Sequence, residues 1–283
     1  MSCDWNQVKF GETGLSMAPL GLGSSYGVST NDLERAFERG LNFFFWGSRR
    51  RSGFGKGVRT LARKHRDTMV IAMQSYARLG SLMGPFLDKG LRELGIEHVD
   101  LLTLSWWNDV PPQRILDAAS ALKASGKVRH VMVSCHHRPT FEKLVELPSI
   151  EAIMVRYNAA HPGAEREVFP HLGPRNPGVL AFTATRWGSL LDPKLTPPGE
   201  PTPRASDCYR FALSHPNVHA CLAGPKDGVE LDEAMAALDR GPMSDDELAW
   251  MRRVGKVVRG DASANVPIRT LDKVRTALFG ARA

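Results

Sequence analysis

A single (β/α)8 barrel, an α/β fold with an N-terminal β-hairpin and an extra C-terminal helix added to it, is the fold class this sequence predicts for residues 1–283. Three observations predict it. Short, near-continuously apolar runs alternate with longer amphipathic segments, as strands buried on both faces and their covering helices must. The strand–helix alternation implies a parallel sheet, and right-handed crossovers close it into a barrel. The length of 283 residues holds one barrel of about 250 residues plus a tail, so no domain boundary is drawn.

The elements follow in order. Residues 8–18, VKFGETGLSMA, read as a hairpin with Gly11 and Gly14 bracketing its turn, placed as a plug in the barrel bottom. LGLG (20–23) is the first barrel strand. NDLERAFERG (31–40) is a helix that opens on Asn31 as cap and closes on Gly40. NFFFW (42–46), MVIAMQ (69–74) and VDLLTLS (99–105) are the next three strands. PQRILDAASALKASG (112–126) carries Pro in its first turn and again ends in Gly. VRHVMVS (128–134), AIMVRY (152–157), VLAFTAT (179–185) and HACLAG (219–224) complete the barrel. DPKLTPPGEPTPR (192–204) is a proline-rich loop, read as a rim over the barrel mouth. SDDELAWMRRVGKVV (244–258) is the extra helix, with Ser244 and Glu247 forming a capping box. The core thus runs over about 8–258, and 259–283 is a tail without a strong signal.

Composition narrows the function. The charge of +7 is spread along the chain apart from Arg49, Arg50 and Arg51, which argues against a nucleic-acid stripe with interleaved aromatics. No apolar run is long enough to span a membrane, and the start MSCDWNQVKF lacks the basic-then-apolar pattern of a secretory signal. Cys3, Cys135, Cys208 and Cys221 lie far apart without CxxC spacing, the pattern of free thiols in a reducing cytoplasm. No spaced His/Cys/carboxylate set points to a metal. Oligomeric state leaves no mark in the sequence.

KFGETGLSMAPLGLG, GLNFFF, LRELGIEHVDLLTL, LKASGKVRHVMVS, the VRYN segment and GPKDGVELDEAMAAL are collinear over about 8–255, and in that order they resemble the aldo/keto reductase superfamily. RYNAAHPGAEREVFP followed by FTATRWGSLL is similar to a bacterial branch of it. The resemblance implies NADP(H) at the barrel mouth and an Asp/Tyr/Lys/His tetrad that delivers a proton while hydride is passed to a carbonyl. The tetrad positions depart from that pattern. Phe45 stands for the Asp, Arg50 for the Tyr, Gln74 for the Lys and Ser105 for the His. The cofactor positions implied by the resemblance are Ser24, Ser134, Asn158, Phe182, Gly224, Lys226 and Glu233, with Cys135, Met154, Ala234 and Glu230 departing from the family's residues.

In a barrel of this kind the site sits at the carboxyl ends of the strands. Candidate catalytic groups there are His136, Arg50, Ser105 and Gln74, and candidate substrate-binding groups are Trp46, Arg49, Tyr76, Trp106, Trp107, Arg156, Arg186 and Trp187. His136 has a side chain that titrates near working pH. Guanidinium groups near a water-poor mouth need an anion, and a phosphate or carboxylate meets them with bidentate geometry. Each signal has a plainer reading beside it. Arg49–Arg51 also read as a solvated loop, His136 and His137 as backbone-bonded residues, and Ser105 and Gln74 as filler. Trp106 and Trp107 cannot both face inward, because successive strand residues diverge. Cys135 beside His136 is no nucleophile pair for the same reason. Three functions stay open: a small-anion enzyme with a tetrad-independent, redox-neutral mechanism, an NADP(H)-dependent carbonyl reductase with rebuilt catalytic residues, and a non-catalytic protein that senses NADP(H) or binds a partner.

Overall fold

The computed structural model describes residue 5, residues 7–47 and residues 49–260 with their side chains, and the helical backbone of 261–265. The hairpin strands β1 (Val8–Lys9) and β2 (Ser16–Met17) pair antiparallel. Between them Gly11 and Gly14 adopt φ of 56° and 75°, a region glycine enters without steric cost. A Cβ on Gly11 would come within 2.4 Å of the Asn176 carbonyl oxygen, so the turn presses directly on the barrel bottom.

The barrel strands are β3 (Leu20–Gly23), β4 (Phe43–Trp46), β5 (Val70–Ser75), β6 (Val99–Leu104), β7 (Val128–Cys135), β8 (Ala152–Arg156), β9 (Gly178–Phe182) and β10 (Ala220–Ala223). They lie side by side in sequence order, all parallel, with β10 closing against β3. Alternation divides them into two faces. Phe43, Phe45, Val70, Ala72, Leu101, Met132, Met154 and Leu180 point inward and pack on Phe10, Leu15 and Met17 of the hairpin, which seals the lower end. The Phe43 ring occupies the space that a side chain on Gly21 would fill, 2.2 Å from such a Cβ. The outward residues, among them Phe44, Ile71, Leu102, Val133 and Ile153, form the larger core beneath the helices.

Those helices are α1 (Thr30–Glu38), α2 (Ser52–His65), α3 (Gly80–Leu94), α4 (Gln113–Ala124), α5 (Phe141–Glu146), α6 (Ala164–Glu167), α7 (Ala205–Leu213), α8 (Gly228–Arg240) and α9 (Asp245–Asn265). Two boundaries differ from the sequence reading. The cap of α1 is Ser29 rather than Asn31, because Ser29 Oγ accepts from the Asp32 N–H at 3.2 Å while Asp32 accepts from the Ser29 N–H at 3.4 Å. Pro112 is the cap residue of α4 rather than a first-turn residue. The capping box of α9 is present: the Glu247 N–H donates to Ser244 Oγ at 3.3 Å and the Ser244 N–H to Glu247 Oε2 at 2.9 Å. This helix continues past 258 to Asn265, so the beginning of the expected tail is helical. Residues 266–283, and Cys3, lie outside the described residues.

Two strands stop earlier than their apolar runs. Trp106 at φ 58° follows the end of β6, and Thr183 at φ 61° follows the end of β9. A left-handed residue breaks the ladder there and redirects whatever follows. Among the described residues no helix is long and apolar enough to cross a membrane, and Cys135, Cys208 and Cys221 are buried free thiols.

Candidate functional site

A cavity of about 1060 Å3 opens at the carboxyl ends of the strands. The inward parity of each strand supplies its floor and walls: Phe45 from β4, Gln74 from β5, Ser134 from β7, Met154 from β8, Phe182 from β9 and Leu222 from β10. His136 continues the inward parity one residue past the end of β7. Tyr76 and Trp106 enter from the loops after β5 and β6, and Arg49 and Arg51 from the loop after β4. The far edge is built by Arg204, Gly224, Lys226, Glu230 and Glu233.

His136 is the titratable group closest to the floor residues in chain terms. Its ring stands edge-on to Phe182 at 5.6 Å and to Trp106 at 6.2 Å, and Trp106 is edge-on to Tyr76 at 5.8 Å. The His136 backbone N–H donates to Asn108 Oδ1 at 3.2 Å, which fixes the turn. The ring also borders a second, open depression shared with Asn108 and His137, so it stands between the cavity and solvent. Burial, and after it the charge of Arg156, holds the imidazole below its ordinary titration range. It is therefore a neutral ring at neutral pH, able to donate one hydrogen bond and accept another. Cys135 beside it is pushed up to about 11, chiefly by burial, and donates to the His137 carbonyl at 3.1 Å. It is a structural thiol.

Of the expected site residues, His136, Gln74, Arg49, Tyr76, Trp106, Trp187, Ser134, Phe182, Gly224, Lys226 and Glu233 line the cavity. The others are placed elsewhere, each for a visible reason. Arg50 turns outside the barrel, with its guanidinium 5.8 Å from the centre of the Trp46 ring, 3.4 Å from the Gln74 carbonyl and 3.9 Å from Glu93. Ser105 is fully buried and donates to the Thr103 carbonyl at 3.4 Å. Trp46 has outward parity and stacks on Phe54 at 6.1 Å. Trp107 lies under the Arg78 guanidinium at 4.2 Å, so Trp106 alone of the pair faces the cavity. Ser24 braces the loop after β4, accepting from the Gly47 N–H and donating to the Arg49 carbonyl, both at 2.9 Å. Asn158 is consumed by two loops, donating to the Thr183 carbonyl and accepting from the His161 N–H, both at 2.8 Å.

Arg156 and Arg186 also miss the cavity. Arg186 is only 9% exposed and donates to the Val258 carbonyl in α9. Arg156 stands beyond His136, where burial first, then Arg138, Arg186 and Arg259, lower its pKa.

The two charged edges of the cavity differ. At the far edge Lys226 Nζ meets Glu230 at 2.6 Å, and Glu233 accepts from Arg204 and, at 2.7 Å, from Ser206 Oγ. Lys226, Glu230 and Glu233 follow β10, and the barrel order β10-β3-β4-β5 sets them three strands round from Tyr76. Arg51, Arg204 and Glu230 were not singled out as site residues. Arg204 ends the proline-rich segment read as a rim, and that reading was the available signal for it. Among the described residues no three His, Cys, Asp or Glu side chains gather as metal ligands would.

The comparisons with known proteins agree with this geometry. The family model described as "Aldo/keto reductase family" matches residues 63–207. The fold is similar to that of the holo form of an aldo-keto reductase from Bacillus halodurans, AKR11C1, with a TM-score of 0.76 at 17% identity over 89% of this chain and 96% of that one. It is also similar to an aldo/keto reductase from Klebsiella pneumoniae in complex with NADP and acetate, with a TM-score of 0.73 at 22% identity over 89% of this chain and 95% of that one. A second Klebsiella pneumoniae structure, in complex with NADPH, matches with a TM-score of 0.74 at 22% identity. At these identities the likeness is one of fold.

Proposed function

The chain belongs to the aldo/keto reductase family, and from that premise we propose that it binds NADP(H) across the barrel mouth and acts on a small anionic carbonyl compound without the Asp/Tyr/Lys/His tetrad. The observation that carries this reading is the elongated lining of one cavity, from His136 and Phe182 at one end to Lys226, Arg204 and Glu233 at the other. The volume, about 1060 Å3, stands at the top of the range of roughly 300–1,000 Å3 typical of ligand sites. The residues fit a dinucleotide. Phe182 offers a face for a flat ring, and Arg204 and Lys226 offer donors for phosphate oxygens. The solved Klebsiella pneumoniae relatives carry NADP or NADPH.

When bound, the nicotinamide ring supplies hydride chemistry. The chain's own residues do the rest. Neutral His136 donates a hydrogen bond to the substrate oxygen, while its other edge meets the depression lined by Asn108 and His137, through which a proton is replaced from solvent. Gln74 offers an amide at the same floor. Arg49 and Arg51 hold the anionic end of the substrate at the rim. Trp106 and Tyr76 cover the ring system and exclude water.

The test separates this reading from its rivals. Quenching of tryptophan fluorescence on NADPH titration, with NADPH consumed in the presence of short carboxylate-bearing aldehydes and lost in His136→Ala, is the expected result. NADPH binding with no turnover of any carbonyl favours a sensing role. Absence of NADPH binding in the intact chain ends the cofactor part of the proposal and leaves the redox-neutral reaction.

A further inference from the structure

The cavity leaves one set of charges unexplained. Arg156 ends β8, Arg186 lies in the loop after β9, Arg138 follows β7, and Arg259 lies in the last described turns of α9. The four stand close enough for each of the other three to act on Arg156. We propose that this convergence of guanidinium groups is an anion site separate from the dinucleotide cavity, built for a compact oxyanion such as the phosphate group of a small metabolite.

The argument starts from what each arginine already does. Arg138 spends its charge on Glu167, with both carboxylate oxygens at 3.1 Å. Arg186 gives one N–H to the Val258 carbonyl, a neutral acceptor. Arg156 is half-buried and makes no hydrogen bond or ion pair to any described residue, and every charged group that acts on it is another arginine. A guanidinium withdrawn from water without a counter-charge costs free energy, and removal into a cluster of like charge adds to that cost. Such an arrangement persists when an oxyanion with several lone pairs completes it, since the planar fork matches phosphate geometry.

His161 reports the same unbalanced field. It is held down to about 4 by burial first and then by Arg156, Arg186, Arg259 and Arg138. Its Nδ1 lies 3.3 Å from Asn158 Oδ1, and Asn158 also anchors the loop after β9 at the Thr183 carbonyl. That loop connects the two sites. Arg186 reaches the arginine cluster, while its neighbours Thr185 and Trp187 line the cavity. Arg186 and Trp187 both adopt φ of 52°, so the loop turns sharply between the two.

The experiment is thermal unfolding of the full chain in sodium phosphate against sodium chloride at equal ionic strength, on the wild type and on Arg156→Gln. Phosphate should raise the Tm of the wild type well beyond the chloride control. In Arg156→Gln the half-saturating phosphate concentration should rise about tenfold or more, as loss of a charge-assisted fork predicts. The same variant should unfold at an equal or higher temperature than wild type without phosphate, because the unpaired charge is gone. That outcome keeps a merely misfolded variant from imitating the result. The double variant Arg49→Gln/Lys226→Gln should keep the phosphate effect, since it removes cations from the cavity instead. A second readout is local: phosphate should move the NMR titration of His161 upward from about 4. Phosphate that stabilises no better than chloride overturns the proposal, and so does an Arg156→Gln response equal to that of wild type. Neither outcome touches the dinucleotide reading, which is measured separately by NADPH quenching.

Discussion

Two arginine clusters pack against α9, and they resolve their charge in opposite ways. Near its N-terminal end Arg210, only 4% exposed, donates to Glu247 Oε2 at 2.8 Å and to the Gly241 and Pro242 carbonyls at 2.7 and 3.0 Å. Arg240 completes the set by meeting Asp207 at 2.7 Å. Two guanidinium groups face two carboxylates. At the other end of the helix Arg138, Arg156, Arg186 and Arg259 gather around the neutral His161, and only Arg138 has a carboxylate in Glu167. The first cluster is closed and structural. The second is open and waits for charge. Burial of an arginine therefore says little by itself, and the balance of charge around it separates a clamp from a binding site.

Removing one member of the closed network is the severest way to break this comparison. Arg210→Met should lose about 3–5 kcal/mol in urea unfolding, because Asp207 and Glu247 are left without their main buried partner. A loss below about 1 kcal/mol would mean that the two clusters are energetically alike. Next in size is the acid response. Glu247 is held at about 2, first by its hydrogen bonds from Arg210, against an ordinary value of 4.5. A lowered folded-state pKa contributes stability that is complete above about 4.5 and is lost as the pH falls towards about 2. Glu247→Gln should flatten that part of the stability curve by about 1–2 kcal/mol, with solvent screening counted.

The open cluster should respond with the other sign. Arg156→Met in low-salt, phosphate-free buffer should leave stability unchanged or raise it by up to about 1 kcal/mol, since an apolar side chain replaces an unpaired charge. A loss of several kcal/mol would place Arg156 in a network like that of Arg210. The smallest effect is on His136. Burial and then Arg156 lower its pKa, so Arg156→Met should move its NMR titration upward, towards the ordinary histidine range. A reaction that needs the neutral imidazole is intact above the His136 pKa and fades below it, so the acid limb of turnover should move to higher pH in the same variant.

The candidate site was legible in the sequence where strand parity reaches it. Gln74, Ser134, His136 and Phe182 all lie an even number of residues from an inward core residue, and all line the cavity. Trp46 fails by the same rule, because its neighbour Phe45 takes the inward place. Parity stops where the backbone turns left-handed. Ser105 and Trp107 flank Trp106 at φ 58°, and Arg186 itself sits at φ 52°. No local pattern says where a side chain points after such a turn.

The sequence alone determined the closed parallel barrel, the plugging hairpin and the capping box of α9, because hydrophobic period, glycine turns and cap residues act over a few neighbouring positions. Tertiary structure alone decided which arginines face the cavity, which are neutralised and which stand together without a counter-charge. Charge balance depends on distances between residues far apart in the chain, such as Arg138, Arg156 and Arg259, and those distances exist only once the barrel has closed.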